Sequence, residues 1–580
     1  MTHLLQVAAL IFTLISSTGL SIALINVDCY STFCSEEFFT FETRVHLTVF
    51  YAFLATSLCI LLLRANSPTF RHIVNFHLFH ELPLVGKRVT VGGLLTSLII
   101  FVLVCCSTIY WLPAQNELWG HKTDPLNWAT AKIQLTATGV TGHYADILLG
   151  LLLLPVSRNS LIGQAFSLHQ STLLFAHKAV SYLFSLIVVI HGVTYMLHVN
   201  DASRSENEAR DEAFTTGNPS VTLSESKQRS IWFSITYYVG IAAILPVLII
   251  LATSIPWIRR RHYNLFYFSH IILGALILVA SSLHASTNFY FLLPGLFLWI
   301  IDWIRRLFFG DASGLVSEVP ATLEVAENGW LRVSLLPSKT FTGQPLSYYY
   351  LNFPSVSRLE THAFTAVSHP SNNGGPVFLI QPTAGKTEGR LKVEWTRKLQ
   401  ALAQHNTTTL RLDVRVEGQY RVPDPNFAFA SHIICIVGGS GITGALSLAH
   451  WWLETDRPNS RFDLIWTVRQ HESTRLAEWQ YLEGMAKTVS GLGVRAHISS
   501  ESGRLDAGQA LRHALFARGS IALATQGQGW VYSSGPPALL SVTQRACVTM
   551  QREIKRGTRQ GNEKNWSVGD LTWYMARWEL

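Results

Sequence analysis

Long apolar stretches separated by short polar ones fill the first half of the chain, and in the second half the apolar runs become short and strand-like. The long stretches fall near 45–63, 89–111, 135–156, 171–197, 231–257, 263–284 and 288–304. Most reach the roughly 20 residues that cross a bilayer as a helix, which predicts an all-α transmembrane bundle. The opening MTHLLQVAALIFTLISSTGLSIA has an apolar core, no acidic residue and a Ser21-x-Ala23 end of signal-peptidase type, so 1–23 reads as a signal peptide or an uncleaved signal anchor. After Arg306 short runs such as TLEVA, LRVSLL and YYYLNF stand between Gly, Pro and Asn turns, the pattern of a small antiparallel β-barrel. Farther on, HIICIVG, DLIWTVR and WVYSSG alternate with helical segments such as ALSLAHWWLE, which predicts a parallel α/β domain. The expected fold is therefore multi-domain: 24–44 extracytosolic, 45–308 transmembrane, 318–428 a β-barrel and 431–580 an α/β nucleotide-binding domain.

Composition agrees with this division. The chain has 580 residues, 48% of them hydrophobic, and a formal net charge of +8. Much of the positive charge sits in short loops between apolar stretches: Arg64, Arg71, Lys87 and Arg88, then Arg158, then Arg259, Arg260 and Arg261, then Arg305 and Arg306. That is a topology signal rather than a nucleic-acid surface, and it assigns these loops and the C-terminal half to the cytosol. Residues 199–230 carry six acidic and four basic side chains and read as a solvated external loop. Cys29 and Cys34 lie close together in the extracytosolic segment and suggest a small disulfide loop. The other five cysteines form no metal-ligand spacing.

Four histidines give the bundle its chemistry. One helix reads His177-KAVSYLFSLIVVI-His191 and another His270-IILGALILVASSL-His284, each with thirteen residues between its histidines. Fourteen helical steps return to nearly the same face about 21 Å farther along. Two such helices side by side and running the same way bring His177 to His270 and His191 to His284, making two bis-imidazole sites stacked across a bilayer. Paired axial imidazoles saturate a haem iron and suit it to electron transfer. A single intramembrane histidine is more often a packing residue, but the same spacing in two spans points to ligands, because polar groups in lipid are costly. His143, His169, His198 and His262 lack a matched partner at this spacing and read as packing or interfacial residues.

The cytosolic half carries weaker motifs. His362-Ala-Phe-Thr-Ala-Val-Ser368 lies in the barrel region, and Gly385-Lys-Thr387 precedes the helical run KVEWTRKLQALAQ. After HIICIVG come Gly438, Gly439, Ser440, Gly441, Ile442 and Thr443, and then a helix. Glycines between a strand and a helix present backbone N–H groups and the positive helix end to a pyrophosphate. Arg469 ends the next strand, where a guanidinium could hold the 2′-phosphate that separates NADPH from NADH.

Taken together, these residues resemble the fungal ferric reductase branch of the superfamily that also contains the NADPH oxidases. The paired histidines match the family's haem ligands, and TSIPWIRRRHYNLFYFSH resembles its approach to the third of them. The resemblance implies a ferredoxin-reductase-like module in which His362, Phe364, Thr365, Ser368, Gly385 and Thr387 serve FAD, and Gly438–Thr443, Arg469, Gly535 and Pro536 serve NADPH. It implies two haems b and a flow of electrons from cytosolic NADPH to extracytosolic ferric or cupric chelates, at the plasma membrane. The expected protein partners belong to iron uptake or a biosynthetic pathway. A superoxide-producing oxidase and a haem subunit serving a dedicated partner are the alternatives; thirteen residues between both histidine pairs is the reductase habit. The chain departs from the family pattern at Ala363 for the proline of HPFT, at Gln419 and Arg421 within EGPYG, and at Ser534 for the cysteine of CGP. It departs again in LTWYMARWEL at the end, where Trp578 remains as a flavin-side aromatic.

Overall fold

The computed structural model describes residues 3–27, 29–31, 34–75, 77–79, 89–123, 129–157, 160–166, 168, 170–216, 223–308, 318–337, 344–357, 360–367, 374–382, 395–404, 409–420, 425–455, 457, 460–516, 527–560 and 566–576. The chain divides into two compact units, Met1–Asp302 and Trp303–Glu579.

The long helices of the first half are α1 (His3–Leu24), α2 (Thr40–Asn66), α3 (Val91–Thr123), α4 (Ala129–Leu153), α5 (Gln170–Thr216), α6 (Leu223–Ser254), α7 (Tyr263–His284) and α8 (Ser286–Phe308). Among the described residues six helical stretches are long and apolar enough to cross a membrane: Leu4–Leu24, Thr40–Asn66, Val91–His121, Thr172–Asp201, Leu265–His284 and Ser286–Arg306. Two of the expected spans fall outside that set. The apolar part of α6 shortens to Tyr238–Ser254. In α4, Lys132, His143 and Asp146 dilute the hydropathy, and Ile147, Leu148 and Leu149 are buried inside the bundle. The membrane helices keep apolar flanks such as Leu98, Phe101, Leu186, Ile272 and Val279 on the outside, as a lipid-facing surface requires.

Some polar groups inside the unit pair across helices. Ser21 of α1 and the Tyr51 hydroxyl of α2 lie 2.8 Å apart, and Tyr51 donates to the Tyr290 carbonyl at 2.9 Å. Cys29 and Cys34 are disulfide-bonded, as their spacing suggests. The 199–230 stretch departs from its reading as a loop, because α5 continues as helix to Thr216. Its sequence explains this: no glycine or proline stands between 199 and 216, and the first are Gly217 and Pro219.

The second unit holds two sheets. β1 (Glu318–Val325), β2 (Leu331–Leu335), β3 (Tyr348–Asn352), β4 (His362–Thr365), β5 (Val377–Ile380), α9 (Trp395–Gln404) and β6 (Leu410–Tyr420) form the first region. Its six strands pair antiparallel in the order β4-β3-β6-β1-β2-β5 around a core of Leu323, Leu331, Val333, Tyr349, Leu351, Phe378 and Val414. The second region comprises β7 (His432–Gly438), α10 (Ile442–Glu454), β8 (Arg461–Val468), α11 (Ala477–Met485), β9 (Leu492–Ile498), α12 (Ala507–Leu515), β10 (Gln528–Ser534), α13 (Pro537–Gln560) and β11 (Asp570–Ala576). Its strands are all parallel in the order β9-β8-β7-β10-β11, with β7 fully buried as the central strand. Such a strand reads as the continuous apolar run HIICIVG, because helices cover both faces.

Arg332 joins the two regions, reaching Glu324 at 2.9 Å and Glu327 at 3.0 Å within the antiparallel region and Glu478 on α11 at 2.8 Å. The Glu478 hydrogen bonds are the largest influence holding its guanidinium above its usual range. Beneath the parallel sheet, buried His432 donates from Nε2 to Asp463 at 2.7 Å, and Arg461 meets the same carboxylate at 2.8 Å. Burial pushes the Asp463 carboxyl up, but His432 and Arg461 outweigh it and hold the group below its ordinary 3.8.

Replacing Asp463 by alanine should cost about 1–3 kcal/mol, because the buried His432 Nε2 loses its acceptor. Since the folded-state value is depressed, the contribution should be intact above pH 3.8 and disappear as pH falls through the folded value. Urea unfolding of wild-type and Asp463→Ala chains across pH checks both the size and the window.

Candidate redox-cofactor sites

The four histidines occupy α5 and α7. The structure brings them together in the expected pairs: the His177 and His270 ring centroids lie 6.1 Å apart at 71°, and those of His191 and His284 lie 6.1 Å apart at 84°. A metal–imidazole bond of about 2 Å on each side, plus about 1 Å from each nitrogen to its ring centre, spans roughly 6 Å. The spacing therefore leaves room for one metal between the rings of each pair. Among the described residues α5 packs along α4 and α7 along α6, and the imidazoles face each other across the interval between α5 and α7.

Neighbouring backbone orients two of the rings. His177 Nδ1 donates to the Leu152 carbonyl at 3.2 Å, and His191 Nδ1 donates to the Thr138 carbonyl at 2.9 Å. A carbonyl only accepts, so in both rings Nδ1 holds the proton and Nε2 keeps the lone pair that a metal needs. Glycines clear the space around the second pair. A Cβ at Gly142 would stand 3.2 Å from His191 Cε1, and one at Gly240 would stand 3.4 Å from His284 Cε1. The donor set, the spacing and these clearances fit a planar metal macrocycle held by two axial imidazoles at each of two levels.

In the antiparallel region His362 and Phe364 lie on β4 against Trp395 at the start of α9, with ring centroids at 4.6 and 5.8 Å; the Phe364 and Trp395 rings are stacked. Thr365 is buried at the end of the same strand. Burial lowers the pKa of His362 from 6.5 against the opposing pull of Glu360, so its imidazole is mostly neutral at pH 7 and offers no full cation to a pyrophosphate. Ala363 lies opposite Tyr350 in the β3–β4 ladder, where it retains the backbone N–H that a proline lacks. Buried Glu417 is paired with Arg306 at 2.8 Å and accepts from the Tyr420 hydroxyl, while Gln419 donates to Ser347 at 2.6 Å. Ser368, Gly385, Thr387, Arg421 and Trp578 lie outside the described residues.

The glycine-rich turn and the Ser534-Gly-Pro turn meet at the C-terminal ends of adjacent strands β7 and β10. In this strand order that is the switch point, where open parallel sheets bind their ligands. Contact there is tight enough to exclude side chains. A Cβ on Gly441 would come within 2.4 Å of the Ser534 carbonyl, and one on Gly535, at φ +137°, within 2.8 Å of the Gly438 carbonyl. Gly439 has φ +54°, and its carbonyl accepts from Trp466 Nε1 at 3.0 Å. Pro536 packs beside Gly438. Ser440 is exposed and Thr443 partly so, whereas Ile442 is buried in the core, so only its backbone can serve a ligand. Arg469 is exposed directly after β8 at the same edge of the sheet.

Several of these features were not visible in the sequence pattern. The carbonyl partners of His177 and His191 lie 25 and 53 residues away along the chain. Trp395 gave no signal beyond its place in a helical run. Gly142 and Gly240 could have been flagged as glycines within apolar helices, where close packing is the usual reason for them.

Two family models match the chain: the ferric reductase like transmembrane component over residues 141–281, and an FAD-binding domain over residues 317–424. The Arabidopsis thaliana protein Ferric reduction oxidase 2 is 24% identical over 321 residues, 55% of this chain and 39% of that protein. The Saccharomyces cerevisiae Ferric/cupric reductase transmembrane component 2 is 22% identical over 339 residues, 57% of this chain and 43% of that protein. The Candida albicans Probable ferric reductase transmembrane component is 22% identical over 366 residues, 61% of this chain and 48% of that protein. The chain thus spans less than half the length of these curated relatives. The cytochrome b5 reductase domain of Ulva prolifera nitrate reductase aligns with 40% of this chain and 93% of its own at 13% identity and a TM-score of 0.29. Fold and matches define a multi-pass membrane protein that carries an FAD-binding domain after its helical unit. Over the matched residues the chain is similar to ferric reductase transmembrane components.

Substituting Gly535 by alanine should weaken nicotinamide-nucleotide binding about tenfold or more, because the added Cβ forces the two turns apart. Titration of the purified chain with NADPH, with flavin content measured in parallel, checks this; the flavin content should not change.

Proposed function

We propose that this chain is a transmembrane metalloreductase that passes electrons from cytosolic NADPH to ferric or cupric chelates on the other side of the membrane. The observation that carries the reading is the pair of imidazole pairs, each 6.1 Å between ring centres, on two helices at the same fourteen-residue interval. In this reading His177 and His270 hold the haem nearer the cytosol and His191 and His284 the outer one. FAD, when bound, converts a hydride into single electrons, and bis-histidine haems carry electrons singly.

The chain's own groups bind and orient. The Leu152 and Thr138 carbonyls fix two ligand tautomers, and the interlocked glycine turns present backbone N–H groups at the start of α10 to a pyrophosphate. Arg469 is suitably placed to select the 2′-phosphate of NADPH. Lys178, beside His177, supplies a cation for a haem propionate. His362, Phe364, Thr365, Ser368, Gly385 and Thr387 make up the FAD site. Arginine-rich loops support a cytosolic C-terminal half; a plasma-membrane location and protein partners in iron uptake or a biosynthetic pathway follow from the proposed role. No side chain has to act as nucleophile or general acid, so rate depends on positioning.

Two measurements test the reading. Oriented membranes containing the chain should reduce an impermeant ferric chelate with NADPH, and superoxide dismutase should leave the rate unchanged; loss of the signal with dismutase would instead make the chain an oxidase. Alanine at His177 or His270, or at His191 or His284, should remove roughly half of the haem absorbance, one site of two, and abolish chelate reduction while flavin content persists. A full two-haem spectrum in any of the four variants would refute the ligand assignment.

A further inference from the structure

We propose that His46, His143 and Asp146 form a second kind of metal site in the bundle, one for a divalent first-row transition-metal ion outside any haem. His46 lies on α2, and His143 and Asp146 lie one turn apart on α4; they are 1%, 3% and 3% exposed. One ligand atom from each falls within 4.8 Å of the others. His143 Nδ1 and Asp146 Oδ2 are 3.1 Å apart, close to the roughly 3 Å that separates two neighbouring ligands on one ion when each bond is about 2 Å.

His46 has one ring nitrogen available to a ligand. Its Nδ1 is bonded to the Tyr110 hydroxyl at 2.7 Å, while its buried Nε2 has no hydrogen-bond partner among the described residues. A buried nitrogen without a hydrogen-bond partner keeps a lone pair that a metal ion can take. The surroundings hold the donors in place. Trp111 stacks on His143, Phe291 packs on His46 with ring centres 4.7 Å apart, and Gln115 lies 3.4 Å from His143 Nε2. Gly139 makes room for Gln115, since a Cβ there would stand 2.3 Å from its Oε1. An outer partner of this kind fixes a ligand ring's orientation.

Two imidazoles and one carboxylate are a donor set for Fe²⁺ and Zn²⁺, and a single carboxylate leaves a divalent ion with one net positive charge. The site lies one residue from Gly142, the glycine that faces the His191 ring, and so at the level of the His191–His284 pair. The inference needs only these three donors and stands whether or not the paired histidines hold haem.

Co²⁺ is a suitable probe, because mass spectrometry separates it from haem iron. The full-length chain, expressed with Co²⁺, purified in lipid nanodiscs and desalted, should retain about one equivalent of cobalt, and Asp146→Asn or His46→Ala should reduce it to about a tenth or less. Haem absorbance and elution profile are read in parallel to show that the variants are folded. Wild-type retention below about a tenth of an equivalent, or equal retention by a folded Asp146→Asn chain, would overturn the proposal in favour of a purely hydrogen-bonded cluster. Should both variants misfold, pulsed EPR of the wild type loaded with Cu²⁺ decides. Modulation from two imidazoles on one copper centre supports the site, and its absence overturns it.

Discussion

Much of this chain follows from the cost of placing an imidazole in an apolar bundle. Each ring has a donor and an acceptor that lipid cannot satisfy, so each must find partners within the protein. At the paired histidines the backbone supplies some of them: the Leu152 and Thr138 carbonyls take the Nδ1 protons of His177 and His191 and leave Nε2 with its lone pair. α4 provides both carbonyl partners, the Gly142 clearance and the buried residues that pack the bundle. Lys132, His143 and Asp146 make it less apolar than its neighbours, and it is not one of the six lipid-type spans among the described residues.

The second unit meets a different constraint, the approach of backbone to backbone. Where β7 and β10 end, the glycine-rich turn and the Ser534-Gly-Pro turn come so close that a methyl group at Gly441 or Gly535 would meet a carbonyl. The contact sets two sequence-distant turns at one edge of the parallel sheet, beside the start of α10. Arg332 ties this region to the antiparallel one through Glu478, so the flavin and nucleotide regions are held by a multi-carboxylate clamp as well as by packing.

The departures from the family pattern have local explanations of uneven depth. Alanine at 363 occupies a strand position and keeps a backbone donor. Gln419 has its own partner in Ser347. Ser534 is buried beside Gly441, where its small side chain is compatible with the tight turn. These are ordinary accommodations of the fold, and none removes the strand ends and turns described above.

The sequence alone determined which segments are helices or strands and the face each presents, because periodicity and chain reach are local properties. The fourteen-residue interval in α5 and α7 put both histidines of each helix on one stripe, and the strand–glycine–helix order placed the glycine-rich turn between β7 and α10. The helical continuation to Thr216 was also legible in the lack of a breaker, although the charge of the stretch suggested a loop. Which groups meet across elements was left to the tertiary structure. The carbonyls behind His177 and His191, the Trp395 stack and the gathering of His46 on α2 with His143 and Asp146 on α4 each join positions with no fixed relation in sequence. Packing chooses such partners by mutual fit and by the need to satisfy buried polar atoms, and neither quantity exists until the helices are side by side.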